Sequence, residues 1–323
     1  MSALRTALGR VVALCGPHRV AVMIVFFLVF PWLMPYKALA INVLILGLFA
    51  VGFNIVFGYT GLLSFGHAAF FGLGAYGCGI AIARYGLPWP LALGAGVLLA
   101  GVGAVLIGGL SIRRRGIYFA MVTLALAQLV YYVFYQAEPI TGGENGLRGV
   151  DVRTIALGPV ALDFLAPTVK YYFVLVFVSL ALWCLSRVLE SPFGAVLEAI
   201  RENETRARAC GFDVDGTKLA AFVLSGLFCG LAGGLKAMHL SIVPTEVLHY
   251  QTSGLVVIMA LLGGMGTFFG PFVGAAVFLL IEDQVSLVTA HWQLVAGSLF
   301  MVFVLFFPNG IWGSLLQWVG RAP

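Results

Sequence analysis

The chain has 323 residues, of which 61% are A, V, I, L, M, F, W, Y or C, 41 are glycine and only 10% are charged, with a formal net charge of +5. A soluble fold of this size still shows about a quarter of its surface to water, and so few charges cannot cover it. A soluble enzyme, a disordered chain and a nucleic-acid-binding module are thereby excluded, leaving a polytopic membrane protein whose continuous apolar runs spell helices rather than the alternating strands of a β-barrel.

Arg5, Arg10 and Arg19 precede an apolar run over 20–33. Ala38-Leu39-Ala40 has the small-residue pattern of a signal-peptidase site. The run, however, ends on Pro31 and Pro35 and another span follows at once, so it reads as a retained signal anchor. Ten spans follow in order: 20–35, 38–57, 64–83, 87–110, 117–135, 170–188, 218–240, 252–264, 270–288 and 292–307. The eighth is short and glycine-interrupted and reads as a half-helix or re-entrant piece. The five cysteines, Cys15, Cys78, Cys184, Cys210 and Cys229, are odd in number and lack CxxC spacing. They read as small buried hydrophobes rather than a disulfide framework or zinc site.

Lys and Arg in short loops set the orientation. The N-terminal arginines, the cluster Arg113-Arg114-Arg115, and Arg187, Arg201, Arg206, Arg208 and Lys218 all fall on one side, the cytoplasm. The other side receives Lys37, Arg84 and the 136–169 loop, where Arg148, Arg153 and Lys170 stand against Glu138, Glu144, Asp151 and Asp163. An even number of spans places both termini inside. The chain thus reads as a single transmembrane domain, 1–323, with an external loop at 136–169 and a cytoplasmic loop at 188–217.

Between Arg187 and Lys218 stand five basic and six acidic residues, a third of the chain's charge in a tenth of its length. Ser191-Pro192 supplies a helix start and Gly211 a stop, so a charged helix of about 18 residues is expected there. Val196, Ile200, Asn203 and Ala207 share one face. Ala195, Ala199, Ala207 and Ala209 allow close backbone approach, and Glu and Arg fix register by charge pairing. A solvated linker helix and a helix docking into a groove of a cytoplasmic protein both fit this pattern.

The stretch resembles the cytoplasmic coupling loop of the branched-chain amino-acid permease family of ATP-binding-cassette (ABC) importers. The match lies in Ser191-Pro192-Phe193-Gly194, Arg201-Glu202-Asn203-Glu204, Ala207 and Gly211. The generic ABC-permease Glu-Ala-Ala before the glycine is replaced here by Thr205-Arg206-Ala207, so the family-specific letters carry the match. Further stretches resemble the family after the second span (Gly58-Tyr59-Thr60-Gly61-Leu62-Leu63-Ser64-Phe65-Gly66-His67) and in its middle (Arg115-Gly116-Ile117-Tyr118-Phe119-Ala120, then Thr141-Gly142-Gly143-Glu144-Asn145-Gly146). Its end is matched by Gly263-Gly264-Met265-Gly266-Thr267-Phe268-Phe269-Gly270-Pro271. Together these run from about residue 40 to 310.

Polar groups inside a membrane usually face protein or a water-filled path. The pathway candidates are Asn42, Asn54, Ser64, His67, Thr123, Gln128 and the external Thr141. Each has a structural alternative: Asn42 and Asn54 as interhelical pins, His67 as a packing residue, Lys236 snorkelling, Glu282 and Asp283 ending a span. Small-residue spacings such as Gly94-x-Gly96 and Gly226-x-x-x-Gly230 bring helices close, and glycines at 61–66 and 263–270 read as helix breaks lining a path. Gly66, Phe70-Phe71-Gly72 and Gly264, Phe268-Phe269-Gly270 share a spacing that fits an internal repeat.

Enzyme motifs fail. Gly72-x-Gly74-x-x-Gly77 lies in a span with no preceding strand, and Gly216-Thr217-Lys218 reverses the order that a P-loop needs. What the resemblance implies is an all-α bundle of about ten spans, eight to ten with some broken, that is a transporter subunit without its own ATPase site. It implies import of branched-chain or other hydrophobic amino acids across the bacterial inner membrane, with no cofactor bound here and ATP and Mg used by partners. Implied partners are a second, related permease, two cytoplasmic ABC ATPase subunits and a periplasmic substrate-binding protein. Coupling to the ATPases falls to Glu198, Arg201, Glu202, Asn203, Arg206 and Gly211. The rivals are a stand-alone secondary transporter of a small polar or amphipathic solute, which needs an intramembrane ion site, and a membrane-embedded enzyme, which needs a convergent catalytic set.

Overall fold

A computed structural model describes residues 19–152, 154–157, 160–288, 291–307 and 309–319. Arg5, Arg10, Cys15 and Arg153 lie outside the described residues. Helices dominate: α1 (Arg19–Leu33), α2 (Lys37–Thr60), α3 (His67–Ala83), α4 (Trp89–Ser111), α5 (Ile117–Gln136), the single turn α6 (Glu138–Thr141), α7 (Pro167–Leu189), α8 (Pro192–Glu202), α9 (Glu204–Ala209), α10 (Val214–Leu240), α11 (Tyr250–Gly263), α12 (Gly270–Val288), α13 (Trp292–Phe306) and α14 (Gly310–Val319). Prolines open α4, α7 and α8, where a missing N–H costs nothing.

Six helices, α2, α4, α5, α7, α10 and α12, are long and apolar enough to cross a membrane. The other apolar helices, α1, α3, α11 and α13, hold stretches of only 10–17 residues. Six of the ten spans read from the sequence thus meet the length and composition of a crossing helix, and the other four fall on these shorter helices. Two of the short ones, α3 and α11, are short because each abuts a non-helical break, 61–66 before α3 and 264–269 after α11.

The centre of the molecule is α2, whose side chains are buried from Leu39 to Thr60 almost without interruption. Around it pack α10, α12, α7 and α11, α3 touches it through the Phe49–Phe71 and Phe53–His67 ring pairs, and α4 closes over α3 and α10. Glycine makes that closure possible. A Cβ at Gly74 would stand 2.1 Å from the Gly230 carbonyl oxygen, and one at Gly96 would stand 2.4 Å from that of Gly74. One turn along, Gly226 and Gly230 face Ala104 and Ala100 of α4. The small-residue spacing read from the sequence thus becomes a seam where backbones of α3, α4 and α10 touch. Leu98, Leu129, Leu294 and Phe306 face outward, as lipid-covered surface requires.

The ends of the helices sort into two layers. At one end the Lys37 ammonium donates to Thr168 at 2.6 Å and Lys170 to the His239 carbonyl at 3.3 Å, joining the starts of α2 and α7 to the end of α10. At that end the described residues of the 136–169 loop include short strands. Strand β1 (Leu147–Arg148) pairs antiparallel with β4 (Ile242–Val243), and β2 (Thr154–Leu157) forms a hairpin with β3 (Val160–Asp163). At the other end Arg115, after α4, pairs with Glu204 of α9 at 3.2 Å. Cys78 and Cys229 are buried, but Cys184 and Cys210 are exposed, which corrects the expectation of uniformly buried thiols.

Candidate functional site

The charged segment is two helices rather than one. Asn203 breaks it with extended backbone (φ −158°, ψ 98°), and its side chain accepts the Arg206 N–H at 2.9 Å to start α9. Ser191 stands at the N-cap of α8 without capping it, since its hydroxyl donates instead to the Val188 carbonyl at 2.6 Å. Gly211 ends the segment as read, with φ +89°. Gly194, Leu197 and Ile200 face inward, and Ile200 and Ala207 form a small core with Val214. Glu198, Arg201, Glu202 and Arg206 are exposed, and among the described residues none of them makes an ion pair.

What locks the segment down is a charge cluster the sequence reading passed over. Glu204 receives Lys218 at 2.8 Å, Arg208 at 3.2 Å and Arg115 at 3.2 Å, while Arg208 also holds Asp215 at 2.9 Å. Burial pushes the Glu204 carboxyl up, but Lys218, then Arg208 and Arg115, outweigh it and hold the group below the usual carboxylate value. The Lys218 side chain is only 4% exposed, so Glu204 is its needed counter-ion.

Both helix breaks are held by side chains that replace the lost helical hydrogen bonds, as irregular backbone at membrane depth requires. At 264–269, Asn54 accepts the Gly266 N–H and donates to the Thr267 carbonyl, each at 3.0 Å. Thr267 in turn accepts the Gly270 N–H at 3.1 Å and so caps α12. Gly264 (φ +115°) and Gly266 (φ +73°) adopt conformations that side chains resist. At 61–66, Thr123 accepts the Phe65 N–H at 3.3 Å, Ser64 the Gly66 N–H at 3.1 Å, and Ser253 of α11 the Ala68 N–H at 2.8 Å. The two breaks meet. Arg201 of α8 lies against Gly61 and against Gly266, where its guanidinium fills the space a Cβ would take.

These breaks also correct the repeat. Gly66 ends its break with φ −91° and Phe70-Phe71-Gly72 lie inside α3, whereas Gly264 opens its break and Phe268-Phe269 lie within it. The shared letters occupy different structures. The alignment by conformation sets Gly61 against Gly264 and Ser64 against Thr267, a positive-φ glycine first and a hydroxyl that accepts a backbone N–H fourth in each six-residue break.

Of the pathway candidates, Asn54, Ser64 and Thr123 serve the breaks. His67 is fully buried, with Nε2 2.9 Å from the Ser225 hydroxyl and its ring among Phe53, Phe70 and Phe222. Thr141 donates to the Phe134 carbonyl at 2.6 Å and shapes the turn after α5. Gln128 is half-buried on α5. Only Asn42 of this set lines a described cavity, a space of about 550 Å³ between α2, α10, α11 and α12. Its oxygen receives the Lys236 ammonium at 2.7 Å. Glu282, Asp283 and Glu246 line the same space, with Asp283 accepting from the Tyr36 hydroxyl. Lys236 therefore points into a protein cavity instead of snorkelling, and Glu282 and Asp283 face that cavity as well. Glu246 also lines a second recess with Tyr131, Tyr132, Tyr135 and His249, so the two spaces adjoin.

Comparison with known proteins gives a consistent result. The model of a family described as "Branched-chain amino acid transport system / permease component" matches residues 36–307. Over 291 residues the chain is 31% identical to the high-affinity branched-chain amino acid transport system permease protein LivM of Salmonella typhimurium and 29% identical to its namesake in Escherichia coli, covering 83% of this chain and 67% of each relative. It is 24% identical over 227 residues to the ribose import permease protein RbsC of Haemophilus influenzae, covering 68% of this chain and 67% of that one. No solved structure matches.

Proposed function

The chain belongs to the branched-chain amino acid transport permease family, and from that premise we propose that it imports branched-chain or other hydrophobic amino acids across the bacterial inner membrane, driven by ATP hydrolysed elsewhere. It is a multi-pass membrane protein. In this reading it forms a pathway with a second, related permease, receives substrate from a periplasmic binding protein and docks two cytoplasmic ABC ATPases. ATP and Mg belong to those partners, and this chain has no ATPase site of its own. In the same reading the six long helices and the four shorter ones all cross, both termini lie in the cytoplasm, and α8 and α9 face the ATPases.

The observation that carries the reading is the arrangement around α8. Its outer face presents Glu198, Glu202 and, beyond the break, Arg206, charges with no partner among the described residues. Its Arg201 reaches the two helix breaks. A force applied to the exposed charges thus arrives at the only points where α2–α3 and α11–α12 lack helical continuity within the described residues. Asn203 and Gly211 bound the moving piece α9.

The charge swap Glu202→Arg with Arg206→Glu should abolish transport and leave membrane insertion intact. Substrate-stimulated ATPase at the normal rate in an assembled complex carrying the swap would sink the coupling role. A second reading, a secondary transporter, draws on the carboxylates Glu282 and Asp283 in the cavity. Uptake that persists without any ATPase subunit would favour it.

A further inference from the structure

The cavity beneath the β1–β4 end has an unusual division of charge. Lys236 is half-buried, and its hydrogen-bond acceptor is the neutral amide oxygen of Asn42. Glu282 is half-buried on the facing helix α12, and among the described residues it has neither a hydrogen bond nor an ion pair. The two line one space but do not pair with each other within 4.0 Å. Charges held out of bulk water are costly unless matched at contact, and here a cation and an anion face one cavity without touching each other. One side of the wall is apolar, with Leu39, Leu46, Phe71, Leu255, Phe278 and Leu279, and the rest carries Glu246, Thr252, Asp283 and Ser286. At about 550 Å³ the space falls within the usual range for small-molecule sites.

We propose that this cavity binds the zwitterion of an apolar amino acid, with the substrate carboxylate on Lys236 and Asn42, its ammonium on Glu282, and its side chain against the Leu46, Phe71 and Phe278 wall. The inference deepens the importer reading and rests on it. One molecule satisfies both stranded charges only if it carries a cation and an anion close together, which an amino acid does and a fatty acid, an amine or a sugar does not. The additional carboxylates Asp283 and Glu246 tilt the cavity against net anions.

The test uses the complete transporter, with its second permease, ATPases and binding protein, in proteoliposomes. ATP-driven leucine uptake should fall at least about tenfold in Lys236→Met and in Glu282→Gln, and Lys236→Arg should recover at least about half of the lost rate because it restores the charge. Yield and size-exclusion mobility of each complex report assembly. A direct readout avoids the binding protein: with Cys15, Cys184 and Cys210 replaced by serine, Ser286→Cys on the cavity wall should be shielded from a maleimide by leucine. Neither 4-methylpentanoate nor 3-methylbutylamine, which each lack one charge, should shield it. Shielding by either single-charge analogue as good as that by leucine, or full-rate leucine uptake with Lys236→Met in place, overturns the zwitterion site and leaves the importer reading standing. A wild-type complex that imports no apolar amino acid overturns the importer reading itself.

Discussion

Asn54 commits both ends of its amide to the backbone of one break, and nothing else in the described residues reaches the Gly266 N–H. Asn54→Leu keeps the bulk and removes the bonds, so it should destabilise the protein by about 1–3 kcal/mol through the unpaired groups left behind. A lowered unfolding temperature in detergent is the expected result, and an unchanged one would count against the clamp. Arg201 makes the opposite prediction. It has no ion pair to lose, so Arg201→Ala should stay within about 0.5 kcal/mol of the parent in stability. Uptake by the assembled transporter should nevertheless drop steeply, because the link between α8 and the breaks is gone. Loss of both stability and uptake would reduce Arg201 to a packing residue. The sequence pointed to Asn54 and Arg201 as polar residues worth attention, but not to what they hold. Their contacts lie in breaks distant along the chain, where no local pattern reaches.

At the scale of elements, the anchoring of α9 depends on one carboxylate shared by three cations. Glu204→Ala strands the nearly buried Lys218 charge, a change that costs about 3–5 kcal/mol where a buried pair is broken from one side. The expected signature is faster trypsin cleavage within α8–α9, at Arg206 and Arg208. Acid should act in the same direction. The native Glu204 carboxyl titrates below its ordinary value of 4.5, so its stabilisation is present above that value and fades as pH falls through the lower native one. Cleavage by an acid-tolerant protease should therefore rise only below about pH 4.5, and a rise beginning near neutrality would implicate another group. The position, charge and ends of this segment were legible, because proline, glycine and charge density are local signals. The break at Asn203 was missed although it has one. Asparagine followed by Glu204 is a good helix start, but the continuing charge pattern reads as one uninterrupted face.

For the whole molecule, helices, outward apolar surface and the two-layered ends follow from composition and run length, which is why they could be read early. The cavity could not, since Asn42 and Lys236 are 194 positions apart and only folding sets them side by side. Orientation is open to a native probe. Cys210 is exposed beside Gly211, so a membrane-impermeant maleimide should label it in inside-out vesicles and spare it in intact cells, with Cys210→Ser as the control. Labelling in intact cells would invert the topology. The meeting of α3, α4 and α10 on Gly74, Gly96 and Gly230, flanked by Ala100 and Ala104, has a thermodynamic corollary. Glycine and alanine have no rotamers to freeze when helices dock, whereas a leucine seam gives up roughly 0.5–1 kcal/mol of rotational freedom at each side chain. At these glycine and alanine positions the three helices meet with almost no such entropic cost, while Leu73, Leu93, Leu99 and Leu227 along the same contact still bear it.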